Sequence, residues 1–330
     1  MGVADLLDTA IEAPVVTSFT RLGYAVRSRL DDWKPLDDYD LHGRVMVLTG
    51  ATSGLGLAAA EQLARCGAEL VLLGRNPDKT EAVRDQIRRV SGNDAIGIVI
   101  ADMGDFAAVR AAAEQIRAEH PRVDALLHNA GALADTRSEA PDGSEATVAS
   151  QVIGPFLLTA LLLDRLSDQH RPGRVITMSS GGMYATRLRV DRLEMPAGDY
   201  NGSEQYARAK RAQVALNEMW AAHPTGSGVR FHALHPGWAD TPGVAESLPT
   251  FRRVVGPLLR TPAQGADTMV WLAAADEPGR ENGRFWLDRR VRPIHKLGRT
   301  RKTDTPARRA ALWQFCIDRA GLGDNFAAAN

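Results

Sequence analysis

Residues 45–56 read Val-Met-Val-Leu-Thr-Gly-Ala-Thr-Ser-Gly-Leu-Gly, and this stretch decides the fold. An apolar strand pattern runs into a turn with glycines at positions 50, 54 and 56, and an alanine-rich helical pattern follows. Gly50 permits a tight turn, Gly54 lets the main chain approach a phosphate, and Gly56 lets the helix lie close to the strand. An ordinary turn is the alternative, but the flanking strand and helix favour a pyrophosphate-binding loop.

After this turn, short apolar strand patterns alternate with helical patterns as far as about residue 290. This alternation predicts an α/β fold with a single Rossmann-like, doubly wound parallel sheet flanked by helices. We assign that domain to residues 42–290, and we assign residues 1–41 and 291–330 to N- and C-terminal extensions. The longest helix is predicted at about 144–167, and a C-terminal helix at about 306–320.

The N-terminal extension contains an amphipathic helical pattern. Its apolar stripe is formed by Phe19, Leu22, Val26, Leu30 and Trp33. Arg21, Arg27 and Arg29 lie off that stripe, away from the side that the pattern predicts to pack. The helix is expected to pack on its own domain or on a partner chain, and peripheral contact with a membrane surface is the alternative.

Composition narrows the classes of partner. The 330 residues carry a formal net charge of zero with interspersed charges, so no nucleic-acid partner is predicted. Cys66 and Cys316 are the only cysteines, which excludes a disulfide framework and a cysteine metal cluster. No signal pattern opens the chain, and the longest apolar run, 152–163, is interrupted by Gly154 and Pro155. We therefore expect a cytoplasmic protein with no integral membrane segment.

Tyr206 and Lys210 are four residues apart in a predicted helix, so their side chains share one face. A nearby ammonium group favours the phenolate and lowers the pKa of a tyrosine towards neutral pH. Ser179 and Ser180 follow a predicted strand, at the edge of a parallel sheet where ligands bind. A serine there can hydrogen-bond a carbonyl or alcohol oxygen, and a cap or turn role is the alternative for one of the two.

Together these features resemble the classical short-chain dehydrogenase/reductase (SDR) family. The motifs that carry the resemblance are the glycine turn 49–56, Asn129-Ala130-Gly131, Ser180, Tyr206-x-x-x-Lys210 and Pro236-Gly237, in the family's order. The resemblance implies that Tyr206 is the general acid/base, that Ser180 orients the substrate oxygen, and that Lys210 lowers the tyrosine pKa and binds the nicotinamide ribose. Within the family, the runs 179–183, 235–244 and 264–269 are similar to the poorly characterised member-twelve-like subgroup.

The same resemblance and the turn pattern predict which residues contact a nicotinamide dinucleotide. They are Gly50, Thr52, Ser53, Gly54, Leu55, Gly56, Arg75, Asp102, Met103, Asn129, Ala130, Gly131, Tyr206, Lys210, Pro236, Gly237, Trp238 and Thr241. NAD-binding folds often have an acid after the second strand, but this chain has Arg75 there, whose guanidinium can bind a 2′-phosphate. We therefore expect NADP(H) to be preferred, with NAD(H) possible.

One position departs from the family's pattern. The family has an asparagine on the fifth helix that holds a water connecting the lysine to bulk solvent, and this chain aligns Gln151 there. The extra methylene shifts the geometry, and a shift of about 1 Å can cost on the order of 10²-fold in rate. The predicted catalytic set is therefore Ser180, Tyr206, Lys210 and, at a changed position, Gln151.

The sequence thus predicts an NADP(H)-dependent oxidoreductase that interconverts a carbonyl and a secondary alcohol. The apolar, proline-containing segment 240–259 favours a mobile lid over a lipophilic small molecule, and a packed loop is the alternative. An NADP(H)-binding regulatory or scaffold protein with little activity is the alternative function, which Gln151 favours. No metal site is predicted, because His128, His232 and His235 lack ligand spacing. The resemblance also implies a homo-oligomer paired through the fifth and sixth helices, unless the extensions cover them.

Overall fold

The computed structural model describes residues 3–247, 249–323 and 326, without the side chains of residues 3 and 4. The outermost residues of both predicted extensions and Leu248 of the predicted lid lie outside this part. The described chain forms one eight-stranded sheet. In chain order, the strands are β1 (Val45–Thr49), β2 (Glu69–Gly74), β3 (Ile96–Ile100), β4 (Ala125–His128), β5 (Gly173–Met178), β6 (Val229–Leu234), β7 (Arg284–Leu287) and β8 (Arg290–Val291).

The strands have the spatial order β3-β2-β1-β4-β5-β6-β7-β8. Neighbouring strands pair in parallel except β7 and β8, which are antiparallel. The strand order reverses between β1 and β4, and the carboxyl ends of strands at such a point form a ligand-binding crevice. The predicted doubly wound α/β fold is confirmed, with β8 as an edge strand that was not predicted.

Helices cover both faces of the sheet. In chain order, they are α1 (Val3–Glu12), α2 (Val15–Phe19), α3 (Arg21–Leu30), α4 (Gly54–Arg65), α5 (Pro77–Ser91), α6 (Phe106–Glu119), α7 (Ala146–Val148), α8 (Gly154–Leu166), α9 (Gly202–Ala222), α10 (Pro242–Ser247), α11 (Pro249–Val255), α12 (Pro262–Ala274), α13 (Gly298–Thr303) and α14 (Pro306–Ala320). Val47 and Val71 pack with α6, α8 and α9, whereas Met46 and Leu70 pack with α4, α5 and α12. The central strands are mainly apolar, as expected for strands that are buried on both faces.

The N-terminal extension differs from its prediction. It folds into the three short helices α1 to α3, and Arg27 is fully buried whereas Leu22 is 53% exposed. The predicted apolar stripe is therefore wrong at these two positions. Arg27 can be buried because ion pairs with Asp8, Glu12 and Asp288 replace the water around its guanidinium group. Since Asp288 directly follows β7, the extension packs on its own domain.

The predicted helix at 144–167 is a continuous helical segment with a local change of pitch. α7 passes into a π-helical turn, Ala149–Ile153, which continues as α8. By length and composition alone, Ala146–Leu166 could cross a membrane, but 83% of its most apolar window is buried inside the domain. Such burial is typical of a core helix.

The C-terminal extension packs against α8 and α9. The ring of Trp313 in α14 lies 4.9 Å from the Phe156 ring and 4.6 Å from the Trp220 ring, measured between centroids. Arg309 of the same helix forms an ion pair with Glu218. Helix α14 therefore covers part of the surface of α8 and α9 through which family members are expected to pair with a second chain.

Candidate functional site

The glycine turn between β1 and α4 forms a tightly packed cradle. Gly50 and Gly54 have φ angles of 71° and 55°, in the left-handed region that favours glycine. A Cβ on Gly56 would lie 2.1 Å from the Gly50 carbonyl oxygen and 2.5 Å from Asn129 Nδ2, and a Cβ on Gly50 would lie 2.7 Å from Ala130 Cα. Asn129 Nδ2 donates to the Gly50 carbonyl oxygen at 3.0 Å. The cradle therefore has no room for side chains at positions 50 and 56.

The backbone N–H groups at the start of α4 have no side-chain cap. Ser53 occupies the N-cap position, but its side chain makes no capping hydrogen bond. By contrast, Asn76 and Asp105 cap the first turns of α5 and α6. Thr52 and Leu55, also predicted to contact the cofactor, are half-buried in the same turn. Free N–H groups at a helix N-terminus bind anions, so the pyrophosphate of a dinucleotide fits this cradle.

Two charged residues stand after β2 and β3. Arg75 follows β2, is exposed, and forms no hydrogen bond or ion pair with the described part of the chain. Asp102 follows β3, is also exposed, and accepts a hydrogen bond from the Gly104 backbone at 2.8 Å. Met103 is buried, so only its backbone can face a cofactor. The guanidinium group of Arg75 is thus free to bind an anion.

The loop after β6 lies on the other side of the crevice and presents Pro236, Gly237 and Trp238. Gly237 has a φ of 76°, and a Cβ there would lie 2.3 Å from Arg260 Cζ. Trp238 is half-buried, and its ring meets the Phe251 ring edge to face at 5.1 Å. Sequence reasoning missed Arg260, because nothing near it in the chain indicates that it packs on this loop.

The segment that follows this loop reaches back over the cradle. A Cβ on Gly54 would lie 3.3 Å from Thr241 Cβ. Ser247 Oγ in α10 donates to the Leu133 carbonyl oxygen, beyond the end of β4, at 3.2 Å. The predicted lid, 240–259, therefore bridges the crevice from the β6 side to the β1 side.

Ser180, Tyr206 and Lys210 converge at the carboxyl end of β5. Ser180 begins a short 3₁₀ turn, Gly181–Ala185, whereas Tyr206 and Lys210 lie one turn apart in α9. Lys210 Nζ lies 5.2 Å from the centre of the Tyr206 ring and donates to the Met178 carbonyl oxygen at 2.8 Å. The three predicted side chains are thus neighbours, at the edge of the sheet where the sequence pattern expected them.

Burial sets the protonation states of this cluster. Burial raises the pKa of Tyr206 to about 12, and the hydrogen bond with Ser180 opposes part of that rise. Burial lowers the pKa of Lys210 to about 7. This differs from the expected lowering of the tyrosine pKa by Lys210, because the effect of burial at Tyr206 is larger. Ser179 has a structural role, because its buried hydroxyl donates to the Lys210 carbonyl oxygen at 3.1 Å.

Gln151 lies in the π-helical turn and borders the same cluster. Its Nε2 donates to the Ala132 carbonyl oxygen at 2.7 Å, whereas its Oε1 is buried and has no partner among the described residues. A Cβ on Gly131 would lie 2.8 Å from this Oε1 and 3.3 Å from Lys210 Nζ, so both atoms border one small space. The carbonyl oxygen of Gln151 accepts a hydrogen bond from Gln213 Nε2 at 2.6 Å.

A small cavity of about 30 Å³ lies behind Gln151, between α8, α9 and β5. His128, Thr159 and Gln213 contribute polar atoms to its wall. His128 Nε2 pairs with Thr159 Oγ1 at 2.8 Å, but His128 Nδ1 and Gln213 Oε1 are buried and find no partner in the described chain. The cavity is large enough for a water molecule. Gln213 was not predicted, and its position three residues after Lys210 in α9 is the signal that could have found it.

The histidines near the strand ends are structural. Burial lowers the pKa values of His128, His232 and His235 to about 3, so all three are neutral at physiological pH. Within residues 3–247, 249–323 and 326, no group of three or more His, Cys, Asp or Glu side chains is arranged to hold a metal ion.

The sheet and its glycine cradle define a Rossmann-fold dinucleotide-binding protein. The short chain dehydrogenase family model matches residues 44–250. Dehydrogenase/reductase SDR family member 12 of Homo sapiens is 39% identical over 283 residues, which cover 84% of this chain and 86% of that protein. Retinol dehydrogenase 12 of Bos taurus is 32% identical over 289 residues, covering 86% of this chain and 89% of that protein.

A solved structure leads to the same family. A crystal structure described as an Escherichia coli short chain dehydrogenase complexed with NADPH is 27% identical, with a TM-score of 0.62, and the match covers 78% of this chain and 100% of that one. The chain belongs to the short-chain dehydrogenase/reductase family and is an NAD(P)-dependent oxidoreductase. The resemblance that the sequence motifs indicated, including that to the member-twelve proteins, is confirmed.

Proposed function

We propose that this enzyme prefers NADP(H) and interconverts a carbonyl and a secondary alcohol on a lipophilic small molecule, by Ser180, Tyr206 and Lys210. The observation that carries the proposal is the convergence of these side chains at the carboxyl end of β5. The glycine cradle, the turn after β4 and the loop after β6 would hold the dinucleotide. When bound, a nicotinamide cofactor supplies or accepts the hydride of such a reaction.

Each residue of the cluster has its own task in reduction. Tyr206 donates a proton to the carbonyl oxygen, since its raised pKa keeps the phenol protonated at neutral pH. Ser180 donates a hydrogen bond to the same oxygen and stabilises the negative charge that develops there. Lys210, with a pKa near neutrality, supplies the proton that restores Tyr206. In oxidation, the protons move in the opposite direction.

The geometry around Gln151 supports a proton relay that uses its side chain. A water in the space beside Gly131 would join Lys210 Nζ to Gln151 Oε1 and would give that buried oxygen a partner. The backbone oxygen of Gln151 is already bonded to Gln213, so the side chain takes over its part. We expect Gln151→Leu to lower kcat more than Gln151→Asn does, in steady-state assays with saturating cofactor.

The preference for NADP(H) rests on the end of β2. The exposed Arg75 stands where NAD-binding folds often have an acid, and its guanidinium group can form a bidentate pair with a 2′-phosphate. The NADPH in the related Escherichia coli structure supports the same choice. Fluorescence titration with NADPH and NADH tests it, and equal affinity for the two cofactors would contradict it.

The lipophilic substrate class rests on the lid. Trp238 and Phe251 form an apolar wall beside the crevice, and Val254 is 75% exposed, so the lid's apolar residues are not all packed down. An exposed apolar lid suits an apolar ligand. The similarity to a retinol dehydrogenase supports a substrate of this class.

A monomeric state fits the C-terminal extension. Helix α14 covers part of α8 and α9 through Trp313 and Arg309, which leaves less of their surface to pair with a second copy. Light scattering on the purified protein tests this proposal, and a stable dimer would contradict it. The cytoplasmic localisation stays a prediction, and so does peripheral membrane contact as the alternative for the N-terminal extension.

A regulatory NADP(H)-binding protein is the second candidate. The hydrogen bond from Gln213 to the Gln151 carbonyl oxygen favours it, because this oxygen is part of the family's water relay. The intact Ser180, Tyr206 and Lys210 favour the enzyme, since a sensor has no chemical need for all three. Tight NADPH binding without turnover of any ketone, aldehyde or alcohol would support the sensor.

The decisive experiment compares Tyr206→Phe with Tyr184→Phe. Tyr206→Phe removes the proposed proton donor, so NADPH oxidation by lipophilic ketones and aldehydes should fall to background while NADPH binding persists. Tyr184 is a suitable control, because its buried hydroxyl has no partner among the described residues and its loss should leave turnover intact. Full activity in Tyr206→Phe would reject the proposed mechanism.

A further inference from the structure

The N-terminal extension reaches the active site through Phe19, the last residue of α2, which is almost fully buried. We infer that Phe19 is a positioning residue: its ring holds the turn that begins at Ser180 and the loop that carries Trp238. This inference rests on the proposed function, and it makes the extension a structural part of the substrate site.

On one side, Phe19 packs against the turn that follows Ser180. A Cβ on Gly181 would lie 2.9 Å from Phe19 Cε2 and 2.9 Å from His235 Nε2, so the Phe19 ring and the histidine that it packs against together leave position 181 no room for a side chain. Met183 and Tyr184 of the same turn share a buried apolar cluster with Phe19. Because the turn begins at Ser180, the position of the ring limits where the Ser180 hydroxyl can lie.

On the other side, Phe19 holds the loop after β6. The Trp238 backbone N–H donates to the Phe19 carbonyl oxygen at 2.7 Å. The Phe19 ring meets the rings of His235 and Trp238 edge to face, at 4.2 Å and 5.8 Å between centroids. Trp238 in turn meets Phe251 of the lid. A row of aromatic rings therefore runs from the extension, through this loop, to the lid.

Buried charges fix the backbone around the ring. Arg260 donates to the carbonyl oxygens of Ser18 at 3.0 Å and Thr20 at 3.2 Å, and Arg27 donates to that of Ser18 at 3.0 Å. Asp288 forms ion pairs with both arginines. The backbone on either side of the phenyl ring is thus tied to the catalytic domain, so the ring is a fixed support.

Phe19→Ala and Phe19→Leu test the inference, with Leu22→Ala as a matched control because Leu22 belongs to the same extension but is exposed. We expect Phe19→Ala to lower kcat/KM for a lipophilic ketone about 10- to 100-fold, since small misplacements of reacting groups have effects of this size. The affinity for NADPH should stay unchanged. Phe19→Leu should restore most of the activity, and Leu22→Ala should behave as wild type.

Hydrogen exchange of the NADPH-bound protein gives a readout that needs no turnover. Phe19→Ala should speed backbone exchange in peptides covering 180–185 and 236–240, but not in 45–56. If the wild-type protein turns over no carbonyl or alcohol, the proposed function fails, while this exchange pattern still decides whether Phe19 positions the two loops. Unchanged exchange in Phe19→Ala, or equal exchange in Leu22→Ala, would overturn the inference.

A double variant keeps the test valid if Phe19→Ala does not fold. Gly181→Ala pushes a methyl group against the Phe19 and His235 rings, and Phe19→Leu removes the first of these two contacts. The two changes should therefore be coupled, with the double variant exchanging more slowly over 180–185 than Gly181→Ala alone. Effects that simply add would contradict a contact between ring and turn that controls this loop.

Discussion

The two sides of the crevice are built in different ways. The nucleotide side, residues 45–131, is shaped by glycines and by close packing of the backbone. Its members are closer in sequence than those of the substrate side: Asn129 and Gly50, which are hydrogen-bonded, are 79 positions apart. The substrate side, residues 173–292 with the N-terminal extension, is held by buried charges that are distant in sequence. Arg27 and Asp288 are 261 positions apart, and Arg260 bonds to Ser18 across 242 positions.

This difference separates two sources of precision. On the nucleotide side, backbone groups bind the ligand and must pack closely around it, and glycine makes this possible because it has no side chain. On the substrate side, side chains do the work, so the requirement is support, and buried ion pairs together with the Phe19 ring supply it. Substitutions on the two sides should therefore fail differently, in cofactor binding on one side and in stability or substrate turnover on the other.

Gly56→Ala should have the largest effect on cofactor binding. Its methyl group would lie 2.1 Å from the Gly50 carbonyl oxygen, so the cradle must open. We expect NADPH binding to be lost in fluorescence titrations, together with about 1–3 kcal/mol of stability from overpacking. Gly97→Ala on β3 is the control, because a Cβ there would meet the Leu70 carbonyl oxygen at 3.8 Å, an ordinary van der Waals distance. Normal NADPH binding by Gly56→Ala would refute the space requirement.

Arg27→Met should break the substrate side while sparing the cradle. It leaves Asp8 and Asp288 buried with fewer partners, and losing one member of a buried ion pair costs about 3–5 kcal/mol. Denaturant unfolding measures this loss. Arg29→Met serves as the control, since Arg29 is exposed in the same helix and should matter by less than about 0.5 kcal/mol. Equal stability of the two variants would show that the ion pairs of Arg27 do not stabilise the substrate side.

The loss of stability at low pH offers a finer test of the buried ion pairs that Arg27 forms with Asp8 and Asp288. Burial alone would raise the pKa values of Asp8 and Asp288. The arginines that pair with them have the opposite and larger effect, so both pKa values lie below the usual value for an aspartate. These arginines are Arg292 and Arg27 at Asp8, and Arg260 and Arg27 at Asp288. On acidification the unfolded chain therefore takes up protons first. The stability from these groups is complete above the usual aspartate pKa and is lost as the pH falls towards the folded-state values.

Unfolding measured between pH 7 and pH 3 should thus show a steeper loss in wild type than in Arg27→Met. Arg29→Met should follow the wild-type curve. Parallel curves for wild type and Arg27→Met would mean that the ion pairs of Arg27 do not determine how stability falls at low pH.

More of the nucleotide side than of the substrate side could be predicted from the sequence, because the signals on the nucleotide side are local. Glycines at 50, 54 and 56 and an arginine after β2 are local signals, because the strand and helix beside them define their place. The burial of Arg27 has no local signal. An arginine beside apolar neighbours in an amphipathic helix is expected to face solvent, and only the folded chain brings Asp288 to it. Phe19 was predicted to pack, but its partners around Ser180 lie more than a hundred residues away in sequence.

Arg75→Ala should have the smallest effect on the fold and a selective one on the ligand. Arg75 is exposed and makes no contact that supports the described structure, so thermal stability should not change. Affinity for NADPH should fall at least about tenfold, because a hydrogen bond to a charged group contributes about 1.5 kcal/mol or more, and about 1.4 kcal/mol corresponds to a factor of ten.

NADH has no 2′-phosphate, so its affinity for Arg75→Ala should stay the same. Arg65→Ala, an exposed arginine at the far end of α4, controls for a general loss of positive charge. An equal loss of NADPH and NADH affinity would place Arg75 among the groups that shape the cradle. A selective loss would show that, on the nucleotide side, one free side chain adds cofactor choice to a site that the backbone builds.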